Sequence, residues 1–511
     1  MNPDEALAKA RTLAKSGAVA EAASLYRQVL ALQPQNKKAR KELRGLQKSA
    51  DASEQQRGLE YDLQSLVALY SSGDADRALA QAMHLKKIYP QQPLPLNIIG
   101  VIQNQRVNFE AAVKYCKQAL ELEPSYGDAL NNLGSALHKL GRLDEAENCY
   151  LRLLSVQGDD PDALFNLANV LKEKGDLSVA ASCYRKSLHI RPLYEPAHLA
   201  LGQTLVSLRD SPEALTSFNK ALELNPQSTG AHCGIGHLLH ARERSFEAIS
   251  WYRDALKLDA ENLAAKYGMA QALIATGKLE AAVPLMKEYL AARPDSTARH
   301  LLDAAQGNTT EIAPRKYIES TFNDYARKFE EHLTQHLGYE APAQLRELLD
   351  RHVDSRNLAA NAVDLGCGTG LVAKAFQDCC NSIIGLDLSA RMLEEAAKKE
   401  IYSELVLGDV VETLEDMDRK FDLFLSADTV IYIGNIEPLV QAVAQRAGSD
   451  GLFLFTTELS EEPAYTLLSS GRYAHSSAYV EETLRAANFE LLAEELHPLR
   501  KERGEWLQGG F

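Results

Sequence analysis

The chain has 511 residues, too many for one compact core, so two or more folding units are expected, one of them elongated. Its composition, 45% hydrophobic and 24% charged, is globular, and a net charge of -15 speaks against nucleic acid or an anionic membrane as partner, since phosphate is bound through clustered Lys and Arg. Seven cysteines form an odd set with no CxxC spacing and no histidine partners, which argues against structural disulfides and against a metal site.

The N-terminus, MNPDEALAKARTLAKSG, lacks the basic and then apolar layout of a signal peptide, and no apolar run reaches spanning length. A cytoplasmic protein is expected. Ala22, Tyr26 and Pro34 mark a first helical hairpin, so residues 3–36 read as an isolated repeat-like unit. The following stretch, 37–58, is rich in Lys, Arg, Gln and Ser and reads as a linker or an extra helix.

From residue 59 to 296 a fixed period governs the chain. Gly100, Gly134, Ala168, Gly202, Gly236 and Ala270 fall at intervals of 34, as do Ala112, Ala146, Ala180, Ala214, Ala248 and Ala282. Four residues beyond the second small position stand Cys116, Tyr150, Tyr184, Phe218 and Tyr252, and Pro124, Pro192, Pro226 and Pro294 close most units. Small residues let two helices approach, an aromatic ring fills the gap beside them, and proline stops the second helix. One such hairpin cannot bury its own apolar face, so neighbours must stack.

This pattern resembles the tetratricopeptide repeat, and the resemblance implies about seven repeats here whose concave groove takes a protein or peptide partner. Asn131, Asn132, Asn166, Asn169 and His198 fall on first helices, where they either clamp a peptide backbone or face water.

Past Pro294 the period fails, and Gly, Asn, Thr and Pro turn signals mark 297–315 as a linker. Residues 316–511 form a second domain. It opens on an aromatic stripe, Phe322, Tyr325 and Phe329, expected on one helix face. From Asn361 the apolar runs NAVDL, SIIGLDL, ELVLGD, FDLFLSA, GLFLFTTEL and FELLAEEL alternate with helical patterns. Such alternation predicts a parallel sheet covered on both faces, with ligands at the carboxyl ends of its strands.

The first of those ends reads VDLGCGTG. Gly366, Gly368 and Gly370 make GxGxG, but Leu371 stands where a dinucleotide fingerprint needs glycine, and no GK pair follows as in a phosphate loop. VDLGCGTG instead resembles motif I of the class I S-adenosylmethionine-dependent methyltransferases. The resemblance is strengthened by an aspartate after each of the next two strands, Asp387 in IIGLDLS and Asp409 in LVLGDV. The expected architecture is thus an α-helical tetratricopeptide solenoid followed by an α/β Rossmann-like class I methyltransferase domain. The chain is similar to bacterial predicted methyltransferases joined to such repeats.

The resemblance implies S-adenosylmethionine as cofactor. It implies that Gly366, Cys367, Gly368 and Gly370 admit the methionine half, with Asp364 orienting the loop. It gives the ribose hydroxyls to Asp387 beside Leu388, and the adenine to Met392, Asp409 and the Val410 amide. Ser426 would close the site at the end of the fourth strand. Cys367 is expected as a small filler of the loop.

Methyl transfer from a sulfonium is a direct displacement that needs alignment more than acid–base chemistry, so its signature is thin. Asp428, Tyr432 and His475, with Tyr473, are the candidates to position or deprotonate an acceptor. The chain closes on GEWLQGGF, so the strand pairing with FELLAEEL is expected to be very short. The function expected is a methyltransferase whose repeats recruit a protein acceptor. The alternatives are a small-molecule enzyme assembled through its repeats, or a scaffold with a non-catalytic domain.

Overall fold

The computed structural model describes residues 2–326, 329–331, 333–334, 337–354, 358–502 and 505–511. It divides into two compact units, Met1–Pro226 and Gln227–Phe511.

The first unit is a run of helices: α1 (Pro3–Lys15), α2 (Val19–Leu32), α3 (Lys37–Ser71), α4 (Ala75–Ile88), α5 (Pro93–Gln105), α6 (Phe109–Leu122), α7 (Gly127–Lys139), α8 (Leu143–Gln157), α9 (Pro161–Lys174), α10 (Leu177–Ile190), α11 (Glu195–Ser207) and α12 (Ser211–Leu224). Short polar side chains start many of them, as where Asn36 accepts from the Lys38 and Ala39 amides and Asp160 from the Ala163 amide. Residues 37–58 are the first part of the long helix α3. The rings of Tyr150, Tyr184 and Phe218, at the aromatic position of the repeat, are fully buried, each contributing roughly 1.5–3 kcal/mol through lost apolar exposure.

Two of the asparagine bonds on the first helices bridge neighbouring repeats, while those of Asn169 and His198 stay within or beside one repeat. Asn132 Nδ2 donates to Asn97 Oδ1 at 2.9 Å, Asn166 Nδ2 to Asn131 Oδ1 at 3.3 Å, and Tyr184 Oη to Asn169 Oδ1 at 2.6 Å. His198 Nε2 meets the Pro192 carbonyl at 2.9 Å.

The second unit begins with the last repeats, α13 (Thr229–His240), α14 (Ser245–Leu258), α15 (Leu263–Ala275), α16 (Leu279–Ala292) and α17 (Ser296–Gln306). Here the need for small residues is visible: a Cβ on Gly236 or Gly268 would come within 2.8 Å or 2.5 Å of the Tyr252 ring. Helix α17 takes up 297–306 of the stretch expected as a linker. After it come α18 (Arg315–Tyr325), the short α19 (Phe329–Glu331) and α20 (Ala341–His352). The expected aromatic stripe is therefore split between two helices, with Phe322 and Phe329 in edge contact at 6.0 Å between ring centres. The side chain of Tyr325 lies outside the described residues.

Five parallel strands follow, β1 (Ala360–Leu365), β2 (Cys380–Asp387), β3 (Glu404–Leu407), β4 (Phe421–Ser426) and β5 (Ala447–Phe455), in the order β3-β2-β1-β4-β5. Between them run α21 (Leu371–Phe376), α22 (Ala390–Ala397), α23 (Val410–Asp416) and α24 (Glu437–Arg446). One face of this sheet packs Ala362, Leu423 and Leu425 against Leu345, Leu349 and Phe376, and the other packs Val363, Leu386 and Phe424 against Leu414, Leu439 and Val443. The strand order reverses between β1 and β4, which is where such sheets bind ligands.

A second sheet, β7-β8-β6-β10-β9, is built from β6 (Thr457–Leu459), β7 (Tyr465–Leu467), β8 (Tyr473–His475), β9 (Leu496–Glu502) and β10 (Glu505–Gly510), with α25 (Ser477–Ala486) between β8 and β9. This corrects one expectation. FELLAEEL is not a strand: residues 489–495 are irregular, Leu491 and Leu492 stand exposed, and the closing hairpin is β9 with β10. β10 finds its other partner in β6 rather than in β5, so pairing, not local apolarity, selects the strand. Among the described residues no helix is long and apolar enough to cross a membrane.

Candidate functional site

β1 ends in the glycine turn because its backbone must turn left-handed three times, at Gly366 (φ 71°), Gly368 (φ 51°) and Gly370 (φ 91°). The Gly366 and Cys367 amides donate to the Leu386 carbonyl at 2.8 and 2.9 Å, tying the turn to β2. Gly366 also has no room for a side chain, since a Cβ would lie 2.1 Å from Thr429 Oγ1. A Cβ at Gly368 would meet, among the described residues, a Phe329 ring carbon at 3.7 Å, an ordinary contact, so the turn is not crowded there.

The turn borders a cleft of about 1150 Å³, its open mouth included. Of the residues expected to hold cofactor, Gly366, Cys367, Gly368, Asp387, Leu388, Met392, Asp409 and Val410 line it. Asp387, at the end of β2, accepts from the Gly368 amide at 2.8 Å and the Ser389 amide at 2.7 Å, so one carboxylate braces two loops. Burial raises its pKa against the pull of those amides. Asp409 caps α23 through the Val411 and Glu412 amides at 2.9 and 3.2 Å and borders the cleft as well.

Asp364, Gly370 and Ser426 do not line the cleft. Asp364 lies behind the turn, fully buried, where Tyr402 Oη donates to it at 2.7 Å; burial nevertheless pushes its carboxyl up to about 7. Ser426 is buried and donates to the Leu365 carbonyl at 3.3 Å. Burial also holds the Cys367 thiol well above its ordinary pKa, as suits a filler rather than a nucleophile.

The acceptor candidates divide. Asp428, in the left-handed region at φ 56°, lines the cleft and accepts from Arg500 Nη1 at 2.7 Å. Tyr432 lines it too, in a 3-10 turn at Val430–Tyr432, with its hydroxyl pKa raised by burial. His475 lies outside the lining. It is fully buried on β8, with Nε2 against the Ile433 and Gly434 carbonyls at 2.9 and 3.0 Å, and burial lowers its pKa. Tyr473 is likewise buried, bonded to Thr310 Oγ1 at 2.5 Å. These two side chains tie β8 to the 433–434 segment and to Thr310, and they do not line the cleft.

Two arginines were not among the expected residues. Arg472 and Arg500 line the cleft from the second sheet; Arg500 also bonds Glu458, to which Arg472 Nε donates at 2.6 Å. Arg500 lies in the polar run LRKERGE, where nothing in the letters separates it from the exposed Lys501 beside it.

The comparisons agree with this geometry. The family profile described as "Methyltransferase domain" matches residues 362–451, and tetratricopeptide repeat profiles match 96–126, 125–192, 199–262 and 239–305. The chain carries a class I methyltransferase domain behind tetratricopeptide repeats. Its curated relatives include a malonyl-[acyl-carrier protein] O-methyltransferase of Hamiltonella defensa, 32% identical over 19% of this chain and 36% of that one. Another is the 18S rRNA (guanine-N(7))-methyltransferase of Bos taurus, 29% identical over 23% of this chain and 39% of that one. The chain thus spans well under half the length of either.

Among solved structures, YrrB, described as a tetratricopeptide repeat protein with an unusual peptide-binding site, is 18% identical with a TM-score of 0.33, over 36% of this chain and 95% of that one. Cut9–Hcn1 is 17% identical with a TM-score of 0.42, over 59% of this chain and 55% of that one. In the methyltransferase domain, then, the matched segment runs from β1 into β5 and includes the glycine turn, Asp387, Asp409 and Asp428.

Proposed function

We propose that the protein is an S-adenosylmethionine-dependent methyltransferase whose repeats recruit a protein partner that brings the acceptor to the cleft. The observation that carries this reading is the convergence of the glycine turn, Asp387 and Asp409 on one cleft at the carboxyl ends of β1, β2 and β3. The cofactor's groups match what these residues offer. The glycine turn leaves its backbone uncrowded at Gly368 for the methionine half, Asp387 has acceptor capacity for ribose hydroxyls, and Met392, Leu388 and Val410 offer apolar contact to adenine with Asp409 beside them.

When bound, the cofactor supplies a methyl group already activated on a sulfonium. The chain's own contribution is to hold the acceptor in line and keep water out, which the apolar walls of Phe322, Phe329 and Leu333 favour. Asp428, fixed by Arg500, and Tyr432 are the groups placed to orient the acceptor. A second reading, a small-molecule methyltransferase with repeats used for assembly, is supported by those same apolar walls. All seven cysteines are free, which supports a reducing, cytoplasmic setting.

Calorimetry of the full chain tests the cofactor site. Asp387→Ala removes both the brace on Gly368 and the ribose acceptor, and is expected to weaken binding of S-adenosylhomocysteine by at least about tenfold. Unchanged affinity would remove Asp387 from the site.

A further inference from the structure

One carboxylate in the cleft wall has acceptor capacity that the protein leaves unused. Asp428 lies just past β4 in the left-handed backbone region at φ 56°, a strained setting for a residue other than glycine and one that recurs at functional sites. Its amide donates to Thr456 Oγ1 at 2.9 Å, which fixes the bend, and its Oδ2 accepts from Arg500 Nη1 at 2.7 Å. Its Oδ1 is buried with no hydrogen-bond partner among the described residues. A carboxylate has about four acceptor sites, and a buried oxygen without a donor is costly, so the group is built to receive one. The side chain is 19% exposed and lines the cleft, so a ligand there reaches the carboxylate.

The charge around Asp428 selects the ligand that brings this donor. An anion is repelled by the unpartnered oxygen. A cation has to share the cleft with Arg472 and Arg500, while the Asp428 charge is already matched by Arg500. A neutral group with a polarised hydrogen gains a charge-assisted hydrogen bond and meets neither penalty. The apolar part of the wall selects the body of the ligand. The Phe322 ring stands at 75° to Phe329 and 83° to Tyr432, with centres 6.0 and 5.4 Å apart, and all three line the cleft. Aromatic rings prefer offset and edge contacts, so walls set at right angles suit a further flat ring.

We propose that the methyl acceptor is a phenolic hydroxyl, whose O–H donates to the Asp428 carboxylate while its ring lies among Phe322, Phe329 and Tyr432. The proposal rests on the methyltransferase reading above and names its substrate class, a chemistry shared by a small phenol and by a tyrosine side chain of a protein partner. A phenol titrates near about 10 and is protonated at neutral pH, so a base is needed. Asp428 takes the phenol proton as the oxygen bonds the methyl carbon and the carbon–sulfur bond breaks with its electron pair staying on sulfur. One sulfonium charge and one carboxylate charge then disappear together. Arg500 is a positioning residue that holds the carboxylate, and Glu458 in turn holds Arg500.

Calorimetry on the full chain, with and without saturating S-adenosylhomocysteine, compares 4-ethylphenol with 4-ethylanisole, which lacks the hydrogen, with the anion 4-ethylbenzoate and with the cation 4-ethylbenzylamine. The phenol is expected to bind at least about tenfold tighter than each of the others. Transfer of a labelled methyl group to 4-ethylphenol or to N-acetyltyrosinamide separates the two sources, and transfer to neither would overturn the phenolic acceptor. Asp428→Asn keeps an oxygen for the phenol but cannot take its proton. Its transfer rate is expected to fall at least about a hundredfold at pH 7 and then to climb about tenfold per unit towards pH 9, as the phenol ionises in solution, whereas the unaltered protein stays level. A structural role alone does not produce that slope. Unchanged S-adenosylhomocysteine affinity shows that the variant is folded, and if it is not, the ligand series on the unaltered protein still decides. Equal binding of phenol and anisole, or a folded variant as fast as the unaltered protein at pH 7, counts against the proposal. If the unaltered protein fails to bind S-adenosylhomocysteine, the methyl-transfer reading falls, while the phenol-to-anisole ratio measured without it still decides whether the cleft takes a phenol.

Discussion

Asp364 stands near the end of β1 with its carboxyl sealed from water, and burial outweighs the Tyr402 hydroxyl in setting its pKa at about 7. In the unfolded chain the same group titrates near about 3.9. Between those values folding takes up a proton, so its contribution to stability is complete below about pH 4 and is lost as pH rises towards 7. Asp364→Asn keeps an oxygen for Tyr402 but has no proton to lose. Urea unfolding is therefore expected to favour the variant increasingly from pH 5 to pH 8, each unit of pKa difference being worth about 1.4 kcal/mol. A gap between the two proteins that does not change with pH would place Asp364 among ordinary ionised carboxylates. The residue that the resemblance makes responsible for orienting the loop is thus expected to set the pH response of the turn from behind it.

At the scale of elements, the aromatic position of the repeat shows how one period carries unequal energetics. Tyr184 donates its hydroxyl to Asn169 at 2.6 Å, whereas the Tyr252 hydroxyl is buried with no partner among the described residues. Removing a satisfied hydroxyl loses a hydrogen bond, while removing an unsatisfied one relieves a desolvation cost. Tyr184→Phe is therefore expected to destabilise by about 1 kcal/mol and Tyr252→Phe to stabilise by about 1 kcal/mol in denaturant titrations. Shifts of the same sign would remove the distinction. The period itself was legible because the small residues and rings that the packing needs recur every 34 residues, and the glycine turn because only glycine takes its backbone angles. What could not be read was which neighbour each side chain would meet. Asn169 is 15 residues from its ring, but Arg500 reaches Asp428 across 72 residues, and β10 chooses β6 over β5 through pairings no local pattern encodes. His475, a candidate in the sequence to position or deprotonate an acceptor, is instead enclosed by carbonyls of the 433–434 segment.

Within residues 227–511, the stretch that lost its period is a strap joining the last repeat helices to the methyltransferase domain. Thr309 Oγ1 accepts from the Leu467 amide at 3.3 Å, the Glu311 carbonyl accepts from the Gly434 and Asn435 amides at 2.8 Å each, and the Ala313 amide donates to the Tyr432 carbonyl at 3.0 Å. Ile312 then enters the cleft wall, so the strap and Tyr432 are parts of one arrangement. Its anchor on α17 is His300, 2% exposed, whose Nε2 meets the Gly471 carbonyl at 2.9 Å beneath the Tyr317 ring. Burial lowers the pKa of His300, opposed by the Gly471 bond and by Asp303. A histidine with a depressed folded pKa contributes fully above its unfolded value of about 6.5, and the contribution is lost as pH falls through the folded pKa. Hydrogen exchange in α17, corrected for the intrinsic pH dependence of exchange, should therefore accelerate between pH 7.5 and pH 5.5, as marked on a scale set by the unfolded pKa of about 6.5. His300→Gln retains a donor for Gly471 without a titrating ring, and its α17 protection is expected to stay level over the same range. If the unaltered protein shows level protection too, then His300 does not anchor the strap, and its hold on the domain comes from the bonds of residues 309–313.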